Sequence, residues 1–195
     1  MLTNQLKIKL VTALNLYSLF LICVILIIAH TLQIVYNELP CPLCLFQRAG
    51  LMCVAFAYLL NILYGPKPLH YAIATIAATI AAFIAFKQIA LHIAPGTGFY
   101  GPKEFGFHLY TWVVFICMAS IIWNMILLLL IPVKPDALKV KFSKRSKIIA
   151  ISIIAIYFIV ISVNLISSFL ECGLNIKCPA DPTHYILLDI IKSWF

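Results

Sequence analysis

Charge is what this sequence has least of. Six acidic and fourteen basic side chains are spread over 195 residues, 10% of the chain, where an ordinary soluble domain carries about 25%. A water-soluble globule is excluded, and 64% hydrophobic residues say the same. No polar stretch is long enough for a separate soluble catalytic domain, and no internal repeat or low-complexity tract is visible. Chemistry therefore has to sit in a loop, at a helix end or between helices. The formal net charge of +8 does not mark a nucleic-acid binder, because phosphate recognition needs a basic, solvated domain that this chain lacks.

The missing charges leave five uncharged windows, residues 10–37, 49–66, 68–86, 105–133 and 148–170, each of 18 residues or more. A hydrocarbon layer about 30 Å thick takes roughly 20 apolar residues of helix, so each window predicts a spanning helix. The first window is longer than the apolar core of a signal peptide and ends in His30-Thr31-Leu32-Gln33 with no small-residue cleavage pattern, which predicts a retained helix. Gly65-Pro66-Lys67-Pro68 breaks the second from the third, Pro95-Gly96-Thr97-Gly98 and Gly101-Pro102 make a loop, and Pro132 and Pro135 close the fourth. The expected spans are about 10–36, 45–64, 70–93, 109–131 and 148–170. Lys87 and Gln88, close to the far end of the third, are expected to snorkel into the headgroups.

Five spans put the termini on opposite sides. One side then carries Lys7, Lys9, Lys67, Lys134, Lys139, Lys141, Lys144, Arg145 and Lys147 against Asp136 alone, and the other carries five basic residues against five acidic ones. The positive-inside rule puts the first set in the cytoplasm. The N-terminus is expected inside and the C-terminus outside. The fold class is an all-α integral membrane protein, with a five-helix domain over residues 1–170 and an external tail over 171–195.

The seven cysteines divide under this topology. Cys23, Cys53 and Cys117 fall inside apolar windows and are expected to be small buried hydrophobes. Cys41-Pro42-Leu43-Cys44 stands at the outer end of the second helix, and Cys172 and Cys178 follow the fifth helix on the same, oxidising side. Two intervening residues let thiols close a small strained ring, and the positive end of the following helix favours thiolate, which suits exchange better than a structural staple. Arg48 lies one turn inward from Cys44 on the same face. An arginine at that depth is costly and needs a functional reason: it can stabilise a thiolate or bond a polar headgroup lodged between helices. Cys172 and Cys178 are compatible with a redox pair or with a staple on the tail. Two cysteine pairs also suit tetrahedral zinc, but an external, helix-starting C-x-x-C followed by arginine speaks against it, and no metal is expected. In the tail, Tyr185, Leu188, Ile191 and Phe195 recur at helical spacing beside Trp194, which predicts a short interfacial helix.

Cys41-Pro42-Leu43-Cys44-Leu45-Phe46-Gln47-Arg48, between a first and a second spanning helix, resembles the signature of the DsbB family of bacterial disulfide bond formation proteins, over roughly the first four helices. The resemblance implies a four-helix bundle in the bacterial inner membrane that binds a quinone, ubiquinone or menaquinone, beside the C-x-x-C. It implies reoxidation of a periplasmic, thioredoxin-like dithiol oxidase of the DsbA kind. Cys44 would then face the quinone, Arg48 would contact the ring, His92 would be the quinone-proximal histidine, and Gln47 would join them. The chain departs from the family in its second cysteine pair, which follows an added fifth helix instead of lying in the loop from Ala94 to His108. The expected route runs from the partner to Cys172–Cys178, then to Cys41–Cys44, then to the quinone pool of the lipid. A thiol oxidoreductase of the vitamin K epoxide reductase type is disfavoured because its active pair lies on a later helix. A non-enzymatic transporter or assembly factor stapled by two disulfides stays open, although paired interrupted helices and midplane charges are missing from these windows.

Overall fold

The computed structural model describes residues 4–99, 101–131, 143–173, 178 and 184–192. Five long helices, α1 (Asn4–Val35), α2 (Pro42–Tyr64), α3 (Pro68–His92), α4 (Leu109–Leu130) and α5 (Lys144–Cys172), are followed by a short α6 (Ile186–Lys192). All five are long and apolar enough to cross a membrane. The bundle turns large apolar side chains outward, among them Leu129, Phe83 and Ile76. So continuous an apolar exterior is not tolerated in water.

α1 and α5 overrun their uncharged windows because their ends carry charge without breaking. Lys7 and Lys9 lie within α1, and Lys144, Arg145 and Lys147 within α5. Local signals set the starts. Proline occupies the first turn of α2 and of α3, where its fixed φ suits the helix and its missing N–H is not needed. Ser143 caps α5 by accepting from the Ser146 amide at 3.2 Å. The short C-terminal helix expected from the tail is present as α6, with Leu188 and Ile191 exposed. Trp194, Phe195, Pro132, Pro135, Asp136, Lys134, Lys139 and Lys141 lie outside the described residues.

Within the bundle α3 packs between α2 and α4, while α1 packs on α2 and carries α5 on its other side. Small residues make the α2–α3 contact. Ala74, Ala78, Ala81 and Ala85 form a buried stripe on α3, whereas Ile76, Ile80, Phe83 and Phe86 point out. Large-outside and small-inside is the membrane pattern, because lipid competes for apolar area and only close backbone approach adds packing. The approach is tightest at Gly50, where an added Cβ would stand 2.7 Å from the Ala81 Cβ. In the middle of the bundle several buried polar groups are satisfied across helices. Asn15 joins Tyr71 at 2.6 Å and Asn61 at 3.0 Å, and the Tyr58 hydroxyl donates to Asn124 at 2.8 Å.

Two expectations change here. Cys23 and Cys117 are buried, but Cys53 is exposed: with Phe46, Ala49 and Phe56 it forms the outward stripe of α2, so the helix's rotation decides its surroundings. The loop from Ala94 to His108 also contains a hairpin, β1 (Lys103–Glu104) with β2 (Phe107–His108), paired antiparallel. Its turn residues Phe105 and Gly106 have φ of 52° and 86°, the left-handed pair that a tight two-residue turn requires.

Gly50→Ala is expected to lower the thermal unfolding midpoint of the detergent-solubilised protein, at an overpacking cost of about 1–3 kcal/mol. Adding Ala81→Gly should restore most of the loss. A midpoint unchanged in Gly50→Ala would show that the two helices do not approach this closely.

Candidate redox site

The site is built on the first turn of α2. Cys41 is the N-cap and its sulfur accepts the Cys44 amide at 3.3 Å, which brings the two sulfurs to 3.0 Å as thiols. Cys41 is 6% exposed. Its thiol is pushed well above the usual range, first because it donates to the Cys44 sulfur and then because burial opposes its charge.

Gln88 of α3 covers both sulfurs. Its amide nitrogen stands 3.3 Å from the Cys41 sulfur and 3.5 Å from that of Cys44, and its oxygen accepts from Gln47 Nε2 at 2.7 Å. Gln88 is fully buried, so the expectation that it snorkels fails, although its neighbour Lys87 is exposed as expected. Adjacent residues on a helix point about 100° apart, and only one of the two can face the lipid surface. Gln47 is likewise buried and bonded to Gln88.

Arg48 is held by the end of α1. Its guanidinium donates to His30 Nδ1 at 2.9 Å, to Gln33 Oε1 at 2.8 Å and to the Ala29 carbonyl at 3.2 Å. Arginine only donates, so His30 is neutral at Nδ1, and its imidazole also bonds the Val163 backbone of α5. Gln33 Nε2 reaches Ser167 Oγ and the Tyr185 hydroxyl, each at 3.3 Å. Glu171 of α5 is fully buried, and neither carboxylate oxygen has a hydrogen-bond partner. It lies within electrostatic reach of both Arg48 and Cys44. Sequence reading missed His30, Gln33, Gln88 and Glu171 as parts of this site. The polar run His30-Thr31-Leu32-Gln33 inside an apolar window was the available signal.

Cys44, Gln47 and Arg48 open onto a cavity of about 400 Å³ between α1, α2, α4 and the hairpin, walled by Tyr110, Trp112 and Phe105. The Trp112 indole donates to the Glu104 carbonyl at 2.9 Å and the Tyr36 hydroxyl to the Glu104 carboxylate at 2.8 Å, so the hairpin is tied over the cavity from both sides. His92 is not in its wall. It stacks on Tyr110 with centroids 5.9 Å apart, and its Nδ1 is buried without a partner. Cys172 and Cys178 form a disulfide at the end of α5, next in the chain to Glu171. Among the described residues no cluster of His, Cys, Asp or Glu could hold a metal ion.

Residues 12–101 match the family described as Disulfide bond formation protein DsbB. Over 81 residues the chain is 30% identical to the Disulfide bond formation protein B of Chromohalobacter salexigens, an alignment covering 38% of this chain and 47% of that protein. The chain thus spans about half the length of this curated relative. No solved structure matches. The family match ends before α4, a helix short of the extent expected from the motif, but it contains the dithiol, Gln47, Arg48, Gln88 and His92. The chain is a multi-pass membrane protein whose residues 12–101 are similar to the DsbB family of disulfide bond formation proteins.

Proposed function

We propose that the protein is a quinone-dependent thiol oxidoreductase of the bacterial inner membrane, which reoxidises a periplasmic thioredoxin-like dithiol oxidase of the DsbA kind. The observation that carries this reading is the dithiol, with Cys41 buried, Cys44 half-buried and sulfurs 3.0 Å apart, opening beside a guanidinium onto an apolar cavity. The basic helix ends and the positive-inside rule put the N-terminus in the cytoplasm and the dithiol, hairpin and tail on the periplasmic side.

The cavity fits a quinone headgroup by the chemistry of its walls: flat aromatic and aliphatic surfaces with Arg48 as a cation. Ubiquinone and menaquinone share these requirements. A bound quinone supplies the acceptor for the two electrons and two protons that a dithiol releases on becoming a disulfide. Arg48 would hold its polar edge, with its own position fixed by His30, Gln33 and Ala29. Tyr110 and Trp112 would flank it, and His92 would act through Tyr110. Gln47 would act through Gln88.

On the periplasmic side the chemistry is exchange. A thiolate of the reduced partner attacks one sulfur of Cys172–Cys178. A mixed disulfide forms, the old S–S bond breaks and its electron pair stays on the leaving cysteine. The partner's second thiolate then attacks its own mixed disulfide, so the partner leaves oxidised and the tail is left as a dithiol. The tail dithiol opens Cys41–Cys44 in the same way. Each step needs only thiolate access and a good leaving group.

Cys41→Ser and Cys44→Ser are each expected to abolish quinone reduction by the reduced partner, followed by quinone absorbance. Turnover retained in both variants would overturn the assignment. Arg48→Ala should raise the quinone KM or lower kcat by about ten- to a hundredfold, the worth of a hydrogen bond from a charged donor. Unchanged kinetics would reduce Arg48 to a strap between α1 and α2. In a Cys172→Ala, Cys178→Ala chain, trapping with reduced partner is expected to lose the mixed disulfide. An adduct captured through Cys41 at undiminished yield would make the tail pair a staple.

A further inference from the structure

We propose that Gln88 is a catalytic residue of the dithiol: its amide N–H groups hold the charge left on sulfur when the Cys41–Cys44 disulfide is opened. The proposal deepens the reading of Cys41–Cys44 as an exchanging pair and rests on it. A thiolate attacking Cys41 forms a new S–S bond to it, breaks the bond to Cys44 and leaves an electron pair on the Cys44 sulfur. That sulfur is half-buried at the cavity wall, so its charge gains from donors supplied by the protein.

Gln88 meets the need by geometry. It has two amide hydrogens, and its nitrogen lies 3.3 Å from one sulfur and 3.5 Å from the other. Nothing about a long flexible amide fixes that orientation by itself. Gln47 does so, because its Nε2–H donates to Gln88 Oε1 at 2.7 Å; that oxygen also stands 3.7 Å from the Cys44 sulfur, and the amide nitrogen lies nearer to it at 3.5 Å. Gln47 is thus a positioning residue and Gln88 touches the reacting atoms. The small-residue contact of Gly50 with Ala81 brings α3 close enough to α2 for a glutamine on one helix to reach sulfurs on the other.

The groups that bear on the Cys44 charge come from α2, α3, α4 and α5. Cys41 and Arg48 lie on α2, Tyr110 on α4 and Glu171 on α5. Gln88 is the polar contribution of α3. Arg48 donates its bonds to α1 (residues 29–33) and bears on Cys44 through its field, whereas Gln88 is in hydrogen-bond contact with the sulfur.

The test uses purified, reduced, quinone-free protein in detergent. Alkylation of Cys44 by iodoacetamide is followed against pH, with each cysteine resolved by mass spectrometry. In Gln88→Leu the pH of half-maximal Cys44 alkylation is expected to move up by about one unit, which corresponds to roughly tenfold slower alkylation near neutral pH. Gln88→Glu keeps the shape but puts an acceptor against the sulfur. It should shift the profile further and carries the test if the leucine variant does not fold. Gln47→Leu should give a smaller shift in the same direction. Profiles of folded Gln88→Glu and Gln47→Leu that superimpose on the parent would overturn the proposal. Because the assay contains neither quinone nor partner, its failure is distinguishable from failure of the quinone reading, which shows only in turnover.

Discussion

A guanidinium one turn inside a membrane helix is the constraint around which this molecule is arranged. Arginine cannot shed its charge and offers only donors, so burying it in the bundle requires acceptors on the neighbouring helices. Arg48 takes them from the last turns of α1: a ring nitrogen, a side-chain amide oxygen and a backbone carbonyl. The same residues of α1 then reach α5, through His30 to Val163 and through Gln33 to Ser167 and Tyr185. The fifth helix, outside the segment matched by the family, is in this way fastened to the segment that holds the dithiol. Glu171, buried at its end, lies within electrostatic reach of Arg48.

The second requirement is proximity of α2 and α3, and it is met by leaving side chains out. On α3, Ala77 and Ala81 face Gly50 of α2 and let the backbones close, while the bulk of α3 is given to lipid. At the outer end of that contact the helices are near enough for Gln88 to reach the sulfurs of Cys41 and Cys44. The hairpin completes the enclosure from above, tied to Tyr36 at the end of α1 and to Trp112 in α4.

Much of this was legible in the sequence, for reasons that also mark where legibility ends. The five spans show because charge is excluded from lipid, and that exclusion acts on every residue of a span. The Cys41-to-Arg48 run shows because its chemistry is local, with cap, proline, second thiol and arginine within eight consecutive positions. Gln88 does not show. It stands 44 residues beyond Cys44, next to a lysine that does reach the surface, and only the rotation of α3 separates their fates. Cys53 is the same lesson reversed, a cysteine in an apolar window that points to lipid. Hydrophobic periodicity carries little of this information in a membrane helix, where both faces are apolar and size, not polarity, distinguishes inside from outside.

The N-cap role of Cys41 has a mechanical consequence. In the exchange proposed above, the sulfur that accepts the Cys44 amide changes covalent partner, so the start of α2 would loosen whenever a foreign sulfur draws it away. Pro42 limits the damage. It has no N–H to be stranded, and the Leu45 amide keeps its bond to the Cys41 carbonyl at 3.1 Å. The first turn of α2 could therefore yield at the Leu43 and Cys44 amides that face this sulfur and reseat itself, a hinge at the mouth of a helix that otherwise has to stay rigid in the bilayer.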